Sequence, residues 1–484
     1  MYGYDAGVLG GVQETKPFRD ALGNPTGTYI IPMIASSYTL AATVCALFTS
    51  IIGMPLGRRG CILLGDILVI IGGSLQASAW SVAQIIAGRV ICGFGIGFQL
   101  TWYVHKPGRL QIEQSADSGQ AEMSVSTKQR GPEVGVQCIF LVGGCAVAYW
   151  VDFGFTRMDN QVSWRVPIGL QTVFALGSGI GMFLLPDTPR WYYARGRYEE
   201  GDNILARLHD CPVTDEVVQD MRQSIVSSIE FEEESKSFSV SDLFWDRTEL
   251  RVGHRIRVAF LLLSMQQMMG INLSVYYSTI IFGQIGLSSF MSQLLAAVMN
   301  TTFAAGSFFL PGTIERFGRR SIMIYSAAGL TVCMAVFVAM IGSPHPTLAT
   351  QWTAVAAAFL YNFIFGYGWI GVCWLYGPEI APLRFRHVGG AATAFGEWLF
   401  CFITVFAGGI GLQNVGWKMW LWCLLSCALA VPFVYFLCPE TTGKTLEEID
   451  LLFAKVDSGN PSLELGSHGS HLKEASEIEH EERV

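Results

Sequence analysis

Three amide side chains stand within seven residues of one apolar segment, in the stretch QQMMGIN: Gln266, Gln267 and Asn272. An amide group both donates and accepts hydrogen bonds, and it is costly to bury without a partner. Such a group predicts a site for a neutral ligand that offers donors and acceptors of its own. The alternative is that the amides bond neighbouring helices to each other.

The spacing of these amides sets a condition on the backbone. On an ideal α-helix Gln267 and Asn272 would point about 140° apart. They converge only if the helix unwinds near Gly270, and membrane transport proteins place ligands at such breaks. The sequence therefore predicts a broken helix here.

Ionisable side chains also occur inside apolar segments. Asp5 needs a cation or a proton if it is buried, and Arg89 is the best candidate for the cation. Glu397 stands directly before Trp398 in a third apolar segment. It could accept two hydroxyl groups, take up a proton or repel acidic solutes, or it could be an acid that only bonds neighbouring helices.

The composition indicates where these residues lie. Hydrophobic residues make up 51% of the 484, charged residues make up 14%, and the mean hydropathy is +0.40. Segments long enough to cross about 30 Å of hydrocarbon recur along the chain, which predicts a multi-pass membrane protein. The predicted full spans are 29–52, 62–83, 85–104, 133–151, 164–185, 257–282, 290–310, 321–341, 350–376, 389–412 and 417–438, and residues 1–12 are interpreted as the outer half of a truncated first span.

The distribution of Lys and Arg predicts the orientation of the chain in the membrane, and a repeated motif predicts that the chain has two similar halves. Lys and Arg gather in alternate loops, which places the long polar loop and the C-terminal tail in the cytoplasm. A Gly-Arg-Arg turn follows the second span and recurs six spans later, at Arg58 and Arg319. The sequence thus divides into an N-terminal bundle, cytoplasmic linker helices, a C-terminal bundle and an acidic tail, with bounds 1–185, 186–256, 257–438 and 439–484.

Five motifs occur in the order typical of one family. They are GYDAGVLGG at 3–11, GRR after the second and eighth spans, PDTPRW at 186–191, QQMMGIN at 266–272 and PETTGKTLEEID at 439–450. The chain resembles a sugar porter of the major facilitator superfamily, of the fungal type. The resemblance implies an all-α fold of two six-helix bundles that rock around a central site.

The implied function is import of a small neutral sugar by alternating access, coupled to protons. Facilitated diffusion and sugar sensing on the same fold are the alternatives. No nucleophile motif or metal-ligand spacing points to an enzyme or a cofactor, and no nucleic-acid partner is expected. The expected setting is the plasma membrane, as a monomer in the lipid bilayer with both termini of the complete protein in the cytoplasm.

The resemblance assigns ligands as well. The QQ…GIN amides match the family's sugar ligands, and Asn300 and Trp374 match two others. Tyr277 could gate the pocket or be an ordinary interfacial tyrosine. Two positions depart from the family: Cys138 replaces an expected glutamine, with Gln137 beside it, and Glu397 replaces an amide before Trp398.

Two further sets of residues follow from the resemblance. Asp5 and Arg89 match a pair that protonation breaks in proton-coupled relatives, although some uniporters keep the acid. Cytoplasmic arginines and acids match a latch that locks the outward-open state; its candidates are Arg58, Glu122, Arg130, Asp187, Arg319, Glu379, Arg384 and Glu440.

One segment does not fit the family. Residues at about 102–120 are polar and aperiodic where relatives have a short link. We interpret them either as a cytoplasmic insertion or as an intron retained in the gene model.

Overall fold

The computed structural model describes residues 1–25, 27–104, 123–233, 243, 251–382, 385–444 and 446–453. Within these residues the regular structure is helical. The atypical segment at 102–120 falls largely outside them, as does most of the acidic tail.

The described residues of the N-terminal half form six helices. They are α1 Tyr2–Val12, α2 Lys16–Ala21, α3 Ile30–Ala77, α4 Val82–Val104, α5 Met123–Phe155 and α6 Val162–Leu184. The second and third predicted spans are two helical segments within α3 that meet at a kink at Gly57, whose non-helical φ is +73°. The Gly-Arg-Arg turn is therefore a kink in a helix, because glycine adopts this φ without steric cost.

Three helices follow in the described part of the linker. They are α7 Pro189–Tyr193, α8 Tyr198–His209 and α9 Glu216–Glu233. Apolar residues of all three, including Tyr193, Leu205 and Met221, form a small core of their own. The amphipathic pattern of the polar loop thus folds into a separate packed layer.

The described residues of the C-terminal half and the start of the tail contain eleven helices and one 3₁₀ turn. They are α10 Val252–Met268, α11 Ile271–Tyr276, α12 Ser278–Gln284, α13 Ser289–Phe308, α14 Leu310–Phe317, α15 Arg319–Ile341, α16 Leu348–Gly368, α17 Ile370–Ile380, α18 Arg386–Asn414, the turn Gly416–Met419, α19 Trp420–Leu437 and α20 Leu446–Phe453.

Ten helices or helix pairs in the described part of the chain are long and apolar enough to cross a membrane. An eleventh span forms if α13 and α14, bent by 45°, count as one. These eleven correspond to the eleven full spans predicted from hydropathy.

The two halves meet along several helix pairs. Helix α18 packs on α3, α5 packs on α13, α14 and α17, and α1 packs on α11 and α12. Helix α1 can lie close to α5 because its glycines face that helix: a Cβ on Gly3 or Gly7 would clash with the backbone of Leu141 or Cys145. The glycine-rich start of the sequence is therefore a packing surface that leaves Asp5 facing elsewhere.

Candidate functional site

The predicted break in the seventh span is present. Helix α10 ends at Met268, and Gly270 has a φ of +96°, in the left-handed region that favours glycine. Helix α11 starts at Ile271, and Nδ2 of Asn272 lies 2.5 Å from Oε1 of Gln267, to which it donates. The break therefore brings together two amides that a straight helix would hold apart.

Replacing Gly270 by alanine is expected to lower the stability of the protein. The new Cβ would lie against Sγ of Cys423, and alanine at this φ is strained, with a combined cost of about 1–3 kcal/mol. The melting temperature of the purified protein in detergent measures the effect. Gly283→Ala is the matched control in α12, where a Cβ meets open space; a Gly270→Ala melting temperature equal to that of Gly283→Ala would contradict the expectation.

The amides join a carboxyl group from another helix. Nε2 of Gln267 donates to Oε1 of Glu397 at 2.6 Å and lies 3.3 Å from Oε1 of Gln266. Nε2 of Gln266 donates to the backbone carbonyl of Trp369, at the start of α17. We call Gln266, Gln267, Asn272 and Glu397 the amide cluster. Three of the hydrogen bonds that its members make are to one another, so a ligand can exchange bonds with them at little net cost.

Most of the cluster is shielded from solvent. Gln266, Gln267 and Glu397 are each at most 3% exposed, whereas Asn272 is only partly buried. Oε2 of Glu397 has no hydrogen-bond partner among the described residues. The cluster thus holds unused bonding capacity in a place where an unsatisfied polar atom is costly.

Trp398 links the cluster to the opposite half. Its ring makes edge contacts with Tyr2 of α1, at a centroid distance of 5.5 Å, and with Tyr38 of α3, at 5.9 Å. Its Nε1 has no acceptor among the described residues. The boundary between the halves at this level is therefore aromatic, with one N–H group to spare.

Asp5 and Arg89 lie together, as the sequence predicted. Oδ1 of Asp5 is 3.4 Å from Nη1 of Arg89, and both side chains are fully buried. The guanidinium also donates to the carbonyl of Ala35 and lies 4.7 Å from the ring centre of Tyr38. Because Oδ2 of Asp5 and Nε of Arg89 lack partners in the described part of the chain, the pair is incompletely hydrogen-bonded.

The remaining predicted ligands lie outside the amide cluster. Asn300 is fully buried and donates to the carbonyl of Ala296 in its own helix, with its Oδ1 unpaired among the described residues. Gln137 is half-buried, while its neighbour Cys138 is buried and faces Gly371 of α17. Trp374 is half-buried and packs against the core.

Tyr277 stands at a second break, between α11 and α12. Its hydroxyl donates to the carbonyl of Val405 at 3.0 Å, and the side chain is buried. This tyrosine therefore bonds α18 and is not placed at a lipid interface.

Sequence reasoning missed the residues that close the ends of the halves opposite the linker. Nε2 of Gln13 donates to the carbonyl of Tyr276 at 2.7 Å, and the Thr279 hydroxyl donates to the carbonyl of Gly10 at 3.0 Å. The Tyr149 hydroxyl donates to the carbonyl of Val275. A possible signal was the polar content of α11 and α12, but backbone acceptors leave no trace in the sequence.

Part of the predicted latch is described. Arg319 is 2% exposed, contacts both carboxylate oxygens of Glu315 at 2.7 Å and lies 3.2 Å from Glu379. The Glu440 carboxylate accepts from the N–H groups of Arg319 and Arg320, which start α15. These bonds all lie within the C-terminal half.

Among the other latch candidates, the structure describes the side chain of Asp187. Asp187 lies against the kink at Gly57, where a Cβ would contact its carboxylate. Glu122 and Arg384, and the side chains of Arg58 and Arg130, lie outside the described part of the structure.

A small cavity lies inside the C-terminal half, behind α11 and α12. Ser274, Asn362 and Trp420 are among its lining residues, and no member of the amide cluster is. We therefore place the candidate site at the amide cluster, where the unused polar atoms and the interface between halves coincide.

The sequence is similar to those of known membrane transport proteins. The family model described as "Sugar (and other) transporter" matches residues 1–453. An MFS-type transporter of Aspergillus oryzae is 31% identical over 472 residues, covering 96% of this chain and 84% of that protein. A sugar transporter of Saccharomyces cerevisiae is 30% identical over 485 residues, covering 97% of this chain and 82% of that protein.

The fold has a counterpart among solved structures. The Escherichia coli proton:xylose symporter XylE, bound to 6-bromo-6-deoxy-D-glucose, superposes with a TM-score of 0.75 at 20% sequence identity. The match covers 93% of this chain and 96% of XylE.

Proposed function

Because the chain belongs to the sugar transporter family of the major facilitator superfamily, we propose that it imports a small neutral sugar by alternating access, driven by protons. The chain is a multi-pass membrane transporter and not an enzyme. In this proposal it acts as a monomer in the plasma membrane, with the linker helices and the tail in the cytoplasm.

The observation that carries the proposal is the amide cluster on a broken helix. Sugar hydroxyls both donate and accept hydrogen bonds, so they can replace the bonds that Gln267 makes to Asn272 and Glu397. The Trp398 ring offers an apolar face for the C–H groups of a sugar and an N–H group that has no acceptor in the described structure. In this proposal Asn300, Gln137 and Trp374 complete the ligand set, and Oδ1 of Asn300 has no partner among the described residues.

Proton coupling is assigned to Asp5 and Arg89. While Asp5 is ionised, the two side chains neutralise each other in a fully buried place. Protonation of Asp5 removes the attraction and frees Arg89 for Ala35 and Tyr38, which it already contacts. Since α1 packs on α11 and α12, this change can reach the broken span.

In alternating access the two halves would separate at one end of the protein while they stay bonded at the other end. Separation at the end opposite the linker breaks the bonds of Gln13, Tyr149 and Thr279 across the interface. At the linker end, Arg319 with Glu315 and Glu379 acts as the described part of the latch, and Glu315 lies against Gly131 of α5 in the N-terminal half. Bonds at one end are exchanged for bonds at the other, so the two states can be similar in free energy.

Uptake of radiolabelled sugars by a host without its own sugar transporters tests the proposal. The panel should include hexoses, pentoses, disaccharides and cyclic polyols. We expect saturable uptake of at least one of them, increased by an inward proton gradient and abolished by a protonophore. Uptake no greater than that of the empty vector for every sugar would refute the proposal, and uptake indifferent to the gradient would indicate a facilitative uniporter instead.

A further inference from the structure

Glu397 is a buried acid without a counter-ion. Its side chain is 3% exposed, and its one hydrogen bond in the described structure is accepted from Gln267 by Oε1. No Lys, Arg or His of the described residues lies within ion-pair distance of it. This sets Glu397 apart from Asp5, which has Arg89 at 3.4 Å.

Among the described residues, the groups packed around Glu397 carry no compensating charge. The titratable side chains close enough to interact with it are Tyr2 of α1, Cys373 of α17 and Cys401 of its own helix. From α10 it faces the neutral amide of Gln267. Towards α3 lies Tyr38, whose ring contacts Trp398, the residue after Glu397. Arg89 lies over the ring of Tyr38 and is paired with Asp5.

An ionised carboxylate in such a place costs many kcal/mol, and the usual outcome is that the group binds a proton. The geometry also indicates which oxygen holds it. Oε1 accepts the N–H of Gln267, so the proton belongs on Oε2, the oxygen without a partner. The neutral acid then presents an O–H group beside the amide cluster.

We propose that Glu397 is a proton-carrying, sugar-binding residue whose Oε2–H donates to a hydroxyl oxygen of the solute. This inference rests on the proposed function and states that the sugar binds to the site when Glu397 is protonated. The proton stays on Glu397 through the transport cycle and sets affinity, whereas the proton on Asp5 is exchanged in each cycle. Loss of the Glu397 proton at alkaline pH removes the donor and leaves an uncompensated charge, so affinity for a neutral sugar falls.

Glu397→Gln tests both parts of the inference. The glutamine amide oxygen can still accept from Gln267, and its NH₂ group is a donor at every pH in the place of Oε2–H. The first measurement is the infrared C=O band of protonated carboxylic acids in the purified protein. We expect part of this band to disappear in Glu397→Gln. Glu379→Gln is the matched control: Glu379 is buried but paired with Arg319, so its replacement should leave the band unchanged.

The second measurement is the KM of sugar counterflow across a pH series, without a proton gradient. The wild-type KM should rise on the alkaline side by about tenfold or more, the loss expected for one hydrogen-bond donor in a buried site. The alkaline rise should be absent from Glu397→Gln, and the same comparison in an Asp5→Asn background removes any contribution from titration of Asp5. A band that Glu397→Gln leaves intact, or the wild-type alkaline rise in that variant, would overturn the inference.

Failure of the proposed function would look different. If no sugar is transported by any variant, the infrared band still decides whether Glu397 carries a proton. A solute with a positive charge that binds only when Glu397 is ionised would refute the neutral-acid form directly.

Discussion

Asp5→Asn is expected to abolish accumulation of sugar against its gradient while counterflow exchange continues. Asparagine keeps the size of the side chain but can neither bind nor release a proton, so the exchange between the Asp5–Arg89 ion pair and protonated Asp5 is lost. The expected loss of proton-driven uptake is on the order of 10- to 100-fold, the usual size of a coupling free energy between two sites. Uptake and counterflow in proteoliposomes, with and without an inward proton gradient, measure the two activities separately.

Asp152→Asn is the matched control for Asp5→Asn. Asp152 is a buried acid of α5 in the same half, it lies against Gly11 of α1, and it forms no ion pair among the described residues. This variant should keep uptake coupled to the gradient. Equal loss in both variants would mean that a buried acid in general, and not the Asp5–Arg89 pair, supports transport.

Gln267→Ala is expected to raise the KM for the transported sugar by about 5- to 150-fold, corresponding to 1–3 kcal/mol. Gln267 is the member of the amide cluster that bonds both Asn272 and Glu397, so its loss removes a ligand and leaves the buried Glu397 carboxyl without its partner in the described structure. Initial rates of uptake over a range of sugar concentrations give the KM, and surface labelling corrects for the amount of protein.

Gln284→Ala controls for the loss of a glutamine from the same span. Gln284 ends α12 and donates to the carbonyl of Leu412, away from the cluster. Its replacement should leave the KM unchanged. A normal KM in Gln267→Ala would show that sugar does not bind at the amide cluster.

The fold was accessible from the sequence because its signals are long and repeated. Hydropathy located the eleven spans, and the amides around Gly270 predicted a broken helix that the structure contains. The buried pair of Asp5 and Arg89 was also predictable, since a lone charge in an apolar segment requires a partner.

The site was less predictable, because the sequence does not show which way a side chain points. Asn300 belongs to the expected ligand set, yet it donates to its own helix. The bonds from Gln13 and Thr279 end on backbone carbonyls, which every residue carries, so no pattern of side chains could indicate them. The partner of Glu397 likewise appears only when α10 and α18 are packed together.

Binding of a radiolabelled sugar to the purified protein tests the central claim most directly, because it requires neither a gradient nor transport. With the sugar that gives the highest uptake, we expect saturable binding to one site per chain in the wild type and in Gln284→Ala, and strongly weakened binding in Gln267→Ala. Equal binding by all three proteins would contradict the claim that the amide cluster of the broken helix holds the sugar.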